Sequence, residues 1–343
     1  MRCLINQLGS SGRFLHRAAE KSVSSILERA SRNLEIRAPI LKALLTEPFG
    51  DVNFDKITGT KLVETILSQM RPFECEPIIS LYEELILNPG VQDEKVAASR
   101  RLVLGDQLVS ALRRRHIEST DNDCGSKNGH VVRSILQLLA TFAYFDHANP
   151  TGAKGSTMNP SFSPNSRQIY RTRISTCLGH LLATSNDPAS YVYNMVRTFR
   201  YGDRDFAYGQ LLLEADGTVS KVLTSAWAVV EKANLEAEKE SPEVSKGRYL
   251  RSIILLYSIT ILEVHNEDAD AVSILEELND IFEEDAEGNK SATGTAALVE
   301  ILLSFASKSS QLFRRVTQQV FASCTSDIDD ACLEALIKVW TTA

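Results

Sequence analysis

The stretch "YLRSIILLYSITILEV", residues 249–264, is the most apolar run in the chain. It is shorter than the roughly 20 residues a bilayer span needs, and it carries Arg251 near its start. It therefore reads as a central helix buried on every side. A helix with no polar face needs other helices around it, and the rest of the sequence supplies them. Apolar residues recur at helical spacing, as in Leu15, Ala19, Val23, Ile26 and Ala30, and again in Leu312, Val316, Val320 and Cys324. Strand-like alternation is almost absent. The periodicity predicts helices over 13–32, 36–46, 60–70, 75–88, 93–116, 130–147, 167–184, 189–200, 217–240, 247–264, 269–284, 294–307, 310–324 and 328–342. Stop signals sit where these should end: "NPG" at 88–90, "NDP" at 186–188 and "EGN" at 287–289. The last helix opens at Ser326 with Asp329 three residues on, in the pattern of a capping box.

At 343 residues the chain exceeds the usual single-core ceiling of about 250 to 300. So many helices of moderate length, joined mostly by short connections, cannot share one globular core. Stacked helical hairpins can bury each apolar face in turn. The expected fold class is all-α, and the expected architecture an α-solenoid of HEAT/armadillo-like helical hairpins. It would form a single array over 1–343, or two sub-arrays, 1–147 and 167–343, divided by a mobile loop at 148–166. That loop, "ANPTGAKGSTMNPSFSPNS", and another at 117–128, "IESTDNDCGSKN", are polar and longer than helix packing requires.

Composition excludes several classes. With 43% hydrophobic and 24% charged residues the chain is an ordinary folded protein, not a disordered or fibrous one. The N-terminus lacks the apolar core of a secretory signal. Six scattered cysteines, Cys3, Cys75, Cys124, Cys177, Cys324 and Cys332, show no metal-binding spacing and read as reduced core thiols. Charge is uneven: 26 basic against 21 acidic residues in 1–213, but 7 against 18 in 214–290. An acidic face thus follows a mildly basic first part, and such an asymmetry steers charged partners.

One run tempts a catalytic reading. Tyr201-Gly202-Asp203-Arg204-Asp205 resembles the YGDTDS motif of replicative DNA polymerases, and Ser80-Leu81-Tyr82 echoes the partner motif DxxSLYPS. Polymerase chemistry needs carboxylates from both motifs to hold two metal ions. Here Arg204 stands between the two aspartates, and Pro77 stands where the second motif needs a metal-binding Asp. Proline cannot ligate a metal. "EPIISLYEELIL" reads instead as an ordinary helix with Pro77 in its first turn. "TGAKGST" at 151–157 has the letters of a phosphate loop in the wrong order. The six histidines are far apart. No catalytic residue, cofactor site, metal site or small-molecule substrate is expected.

What remains are basic clusters: Arg113, Arg114 and Arg115 ending one helix, Arg167, Arg171 and Arg173 opening another, and Arg197, Arg200 and Arg204 closing a third. Spacing places Arg167 with Arg171, and Arg197 with Arg200 and Arg204, on one helical face. These arginines are candidate contacts to nucleic-acid phosphates or to a partner. Cations in a last helical turn also complement the helix dipole.

Five blocks together, "RFLHRAAEKSVSSILERA", "VNFDKITGTKLVETILSQ", "LYEELILNPGVQDEKVAASRRLVLGDQL", "LLYSITILEVHNEDADAVSILEEL" and "ALVEILLSFASKSSQLFRRVTQQVFA", resemble in this order the DNA polymerase phi family, also called the Myb-binding protein 1A family. The sequence looks most similar to its fungal members. The resemblance implies a non-catalytic scaffold of the nucleus and nucleolus, acting in rRNA gene transcription and ribosome biogenesis. Its partners would be proteins or ribonucleoproteins of ribosome assembly and rDNA transcription, with no membrane involved. The second reading is a sequence-nonspecific module that binds rDNA or pre-rRNA directly. Family members are longer, with helical repeats before this region and an acidic then basic tail after it. On that reading the chain starts inside the array and stops near Trp340, as a fragment or truncated gene model.

Overall fold

The computed structural model describes residues 1–114, 127–147, 160–201, 209–241, 244–286, 292–308 and 310–324. Among these residues the chain is all-α. Fifteen helices follow one another: α1 Arg2–Leu8, α2 His16–Arg32, α3 Arg37–Leu45, α4 Phe54–Thr58, α5 Leu62–Ser68, α6 Pro72–Leu87, α7 Glu94–Arg114, α8 Lys127–Tyr144, α9 Pro164–Thr184, α10 Pro188–Tyr201, α11 Gly217–Ala237, α12 Ser245–His265, α13 Ala271–Ala286, α14 Ala292–Ser307 and α15 Gln311–Cys324. The strands among the described residues are β1, Phe145–Asp146, and β2, Gln210–Leu211, a two-residue antiparallel ladder. The helix expected over 328–342, with its Ser326 cap, lies outside the described residues.

Three helical elements were not foreseen, α1, α4 and a 3-10 turn at Leu34–Ile36, and the helix expected over 130–147 ends at Tyr144 and gives way to β1. Each of the three is at most two turns long, too short for an apolar stripe to repeat and so to register as periodicity. The expected start of the helix near Pro77 is corrected. α6 begins at Pro72, which takes the first helical position, and the Glu74 carboxylate accepts a hydrogen bond from the Arg71 backbone N–H at 2.9 Å. Pro77 therefore lies inside the helix, where it removes the hydrogen bond to the Phe73 carbonyl. It is exposed, so water can serve that carbonyl.

The described chain divides into two compact units. The first comprises Met1–Cys177 and Tyr201–Leu211, the second Leu178–Arg200 and Leu212–Ala343. In the first unit α5 packs on α7, and α6 on α8, α3 and α7. Gly105 on α7 allows a close approach: a Cβ there would lie 3.2 Å from the Tyr170 ring. Leu62, Val63, Ile66, Leu104, Leu108, Leu136 and Leu139 fill the core.

The second unit is built around α12. Every residue from Ser252 to His265 is buried, with α11, α13 and α15 packed against it. Of the polar groups in this stretch, the Ser258 hydroxyl is buried with no hydrogen-bond partner among the described residues, while two others are met locally. Thr260 donates to the Leu256 carbonyl at 2.9 Å, and the Tyr257 hydroxyl to the Leu278 carbonyl on α13 at 2.8 Å. Arg251, the one cation of the apolar run, sits at its margin and stays partly exposed.

Of the cysteines, Cys75 and Cys177 are buried free thiols, and burial pushes the Cys177 thiol up to about 12. Cys3 is free but exposed, correcting the expectation of a core position. The side chains of Cys124, Cys324 and Cys332 lie outside the described residues.

Ile259 is fully buried in α12. Ile259→Ala is expected to destabilise the second unit by about 2–5 kcal/mol, from lost apolar transfer and the cavity left behind. Urea denaturation followed by circular dichroism would measure this as a shift of one unfolding midpoint.

Candidate functional site

The C-terminal end of a helix leaves up to four carbonyls without partners, and arginines meet several of them here. In the first unit Arg37 donates to the Ala30 carbonyl of α2 at 2.9 Å and to the Gln69 carbonyl that closes α5 at 2.7 Å. Its guanidinium also pairs with Glu74 at 3.1 Å, both side chains being almost fully buried. Arg101 on α7 takes the Ile86 carbonyl of α6 at 2.9 Å, and holds the Pro160 and Ser161 carbonyls at 2.6 and 3.0 Å. Burial lowers the Arg101 guanidinium pKa, with Tyr170 partly opposing that shift; guanidinium nonetheless stays cationic.

Around Arg101 the candidate arginines of α9 find their places. Arg167 donates to the Phe145 carbonyl beyond α8 at 2.6 Å and pairs with Asp146 at 3.4 Å. The Arg101 and Arg167 guanidinium groups lie over the Phe162 ring, 5.1 and 5.7 Å from its centre. Tyr170 completes the knot by donating to the Arg101 carbonyl at 2.8 Å. His147 beside it is held below its usual pKa, chiefly by burial. The described end of the loop expected at 148–166 is thus pinned, with Phe162 buried. Sequence reasoning missed Arg101 and Phe162. The available signals were a charge at an apolar-facing position of α7 and a lone aromatic in a Ser/Pro-rich loop.

The other candidates are also engaged. Arg171 lies 5.1 Å from the Tyr144 ring, and Arg173 pairs with Asp106. Arg114 pairs with Glu64 at 2.8 Å, while Arg113 on the last turn of α7 stays exposed. In the second unit Arg200 pairs with Glu231 at 3.3 Å and lies 5.6 Å from the Trp227 ring; Arg197 is exposed. Arg115 and Arg204 lie outside the described residues.

The second unit also holds a cleft of about 300 Å³ between the start of α10, the first half of α12 and the end of α15. Arg248, Arg251, Asp187 and Gln319 border it over a floor that includes Pro188 and Leu255. Among the described residues there is no group of three or more His, Cys, Asp or Glu placed to hold a metal ion. No helix among them is long and apolar enough to cross a membrane.

A family model described as DNA polymerase phi matches residues 1–342. The chain belongs to the DNA polymerase phi family. It is similar to the rDNA transcriptional regulator pol5 of Schizosaccharomyces pombe, 24% identical over 99% of this chain and 36% of that protein. It is also similar to the rDNA transcriptional regulator POL5 of Saccharomyces cerevisiae, 22% identical over 99% of this chain and 30% of that protein. The chain thus spans about a third of the length of these relatives. No solved structure matches.

The polymerase-like letters of this DNA polymerase phi member fall in ordinary structural places where they are described. Leu81 and Tyr82 are core side chains of α6, and the Tyr82 hydroxyl donates to Gln107 at 2.7 Å. Tyr201 ends α10, and Asp203 and Asp205 lie outside the described residues.

Arg101→Met would leave the Ile86, Pro160 and Ser161 carbonyls without their donor. The expected cost is about 3 kcal/mol or more, since each buried polar group deprived of a partner costs about 1–3 kcal/mol. Limited proteolysis should then cut within 160–163 in the variant and spare that segment in the parent. By contrast, Arg113→Glu at an exposed site is expected to stay within about 0.5 kcal/mol.

Proposed function

We propose that this chain is a non-catalytic helical scaffold that acts in rDNA transcription and ribosome biogenesis in the nucleus, at the nucleolus, by binding protein or ribonucleoprotein partners. The observation that carries the reading is that two rDNA transcriptional regulators match 99% of the chain. The succession of helices, most of them joined by short connections, supports a single array of HEAT/armadillo-like hairpins, since such hairpins present long surfaces to partners. The Pro77 position is consistent with a non-polymerase role, because the second carboxylate of a two-metal centre is missing there.

The second reading, direct sequence-nonspecific binding of rDNA or pre-rRNA, is favoured by the exposed Arg113. Arg114, Arg167, Arg171, Arg173 and Arg200 argue against it, because a phosphate would have to compete with carboxylates, carbonyls or ring faces they already touch. Arg115 and Arg204 belong to the same proposal on sequence grounds.

Affinity purification of tagged protein from growing cells is expected to recover ribosomal precursors or rDNA chromatin; recovery of neither ends the scaffold reading. Charge reversal at Arg113, Arg114 and Arg115 separates the two readings. The scaffold predicts little change in affinity for duplex DNA or RNA. The direct-binding module predicts weakened binding and a salt slope reduced by about 1 for each phosphate no longer neutralised. Small-angle scattering tests the array: a compact globule of this length would have a radius of gyration of about 20 Å, and an extended array is expected to exceed it clearly.

A further inference from the structure

The cleft of the second unit sets a helix-end arginine, Arg251, beside an exposed one, Arg248. Arg251 is committed there: it donates to the Gly247 carbonyl at 3.1 Å and lies 3.6 Å from the Asp187 carboxylate. Asp187 is committed in turn, accepting from the Ser190 hydroxyl at 2.6 Å. Arg248, one turn before Arg251, borders the same cleft, is exposed, and makes no side-chain hydrogen bond or ion pair among the described residues. Gln319 spends its amide N–H on the Leu182 carbonyl at 3.1 Å, which leaves its carbonyl oxygen as an acceptor. The cleft therefore offers one uncommitted guanidinium, a second one held rigid, one acceptor, and an apolar floor of Pro188 and Leu255. Its volume, about 300 Å³, is at the small end of ligand sites and suits one short peptide segment.

Charge decides what kind of segment. Residues 178–200 and 212–343, which make up this unit, contain 24 acidic and 13 basic residues, a net charge of −11. A polyanion such as RNA or DNA is repelled by that field. A single carboxylate on a segment with basic flanks satisfies both the local cations and the net negative charge of the unit. We propose that the cleft is a docking site for an acidic side chain of a partner protein, seated on Arg248 beside Arg251, with basic residues on either side of it. The proposal deepens the scaffold reading and rests on it.

The test uses the purified full chain and fluorescence anisotropy with a synthetic peptide carrying one glutamate between alanine and leucine and lysines at both ends. The glutamate peptide is expected to bind at least about tenfold more tightly than its glutamine counterpart. Arg248→Glu should abolish that preference, Arg248→Gln should weaken it, and a lysine-anchored peptide should bind the Arg248→Glu variant better than it binds the parent. Equal binding of the glutamate and glutamine peptides to the parent overturns the proposal. So does a single-stranded RNA oligonucleotide that displaces the peptide and itself loses affinity in Arg248→Glu, which would assign the cleft to nucleic acid. Failure of the peptide arm while the protein still co-purifies with ribosomal precursors removes the cleft alone; failure of both removes the scaffold reading with it.

Discussion

An α-helix that ends inside a protein must find donors for its last carbonyls, and in a chain made almost entirely of helices that demand recurs at every turn. Four arginines answer it in the same way. Arg37, Arg101 and Arg167 in the first unit, and Arg251 in the second, reach back from a later helix to a carbonyl at or near the C-terminal end of an earlier one. A guanidinium suits this task because its five donors lie in one plane and can serve several oxygens at once. The positive charge also complements the negative end of the helix dipole. Connections that look loose in sequence are thereby fixed. The end of the Ser/Pro-rich loop before α9 is held through Pro160, Ser161 and Phe162.

This constraint changes how the basic residues are to be understood. In sequence, Arg167, Arg171 and Arg173 form a cationic opening to α9, and phosphate contact is a natural reading. In the structure the three are spent on a carbonyl and carboxylate, a tyrosine ring, and a second carboxylate. A guanidinium already placed in such a contact is partly desolvated, and a phosphate gains less from it than from one that faces water. Arg113 and Arg114 at the end of α7, and Arg197 on α10, remain exposed.

The second unit follows a different logic. α12 buries all of its surface from Ser252 onward, so stability there comes from apolar burial on every side rather than from one stripe. Most charged residues consequently lie on α11 and α13, in the connections and near the ends of α12, with Glu263 a buried exception. Arg248 and Arg251 stand where the apolar run gives way to solvent, next to the cap of α10 formed by Asp187. A cleft bordered by cations on an otherwise acidic unit is a by-product of that separation.

Long helices were legible in the sequence because burial repeats every three or four residues over many turns: Ala226, Val230, Ala233 and Ala237 on α11, and Leu312, Val316 and Val320 on α15, are buried as the spacing demands. α1 and α4 were not legible, since one or two turns cannot show a period. The family was readable from ordered blocks spanning most of the chain. The missing carboxylate at Pro77 was visible from one letter, whereas the true start of α6 depended on Pro72 and on a hydrogen bond from Arg71 to Glu74. Only the tertiary structure could separate arginines that close helix ends from arginines that face solvent. A guanidinium's partners lie tens of residues away, as Arg101 and Pro160 do, and local sequence carries no trace of that distance. The sequence by itself thus determined the longer helices and the family; the folded chain decided which charges were spent on holding it together.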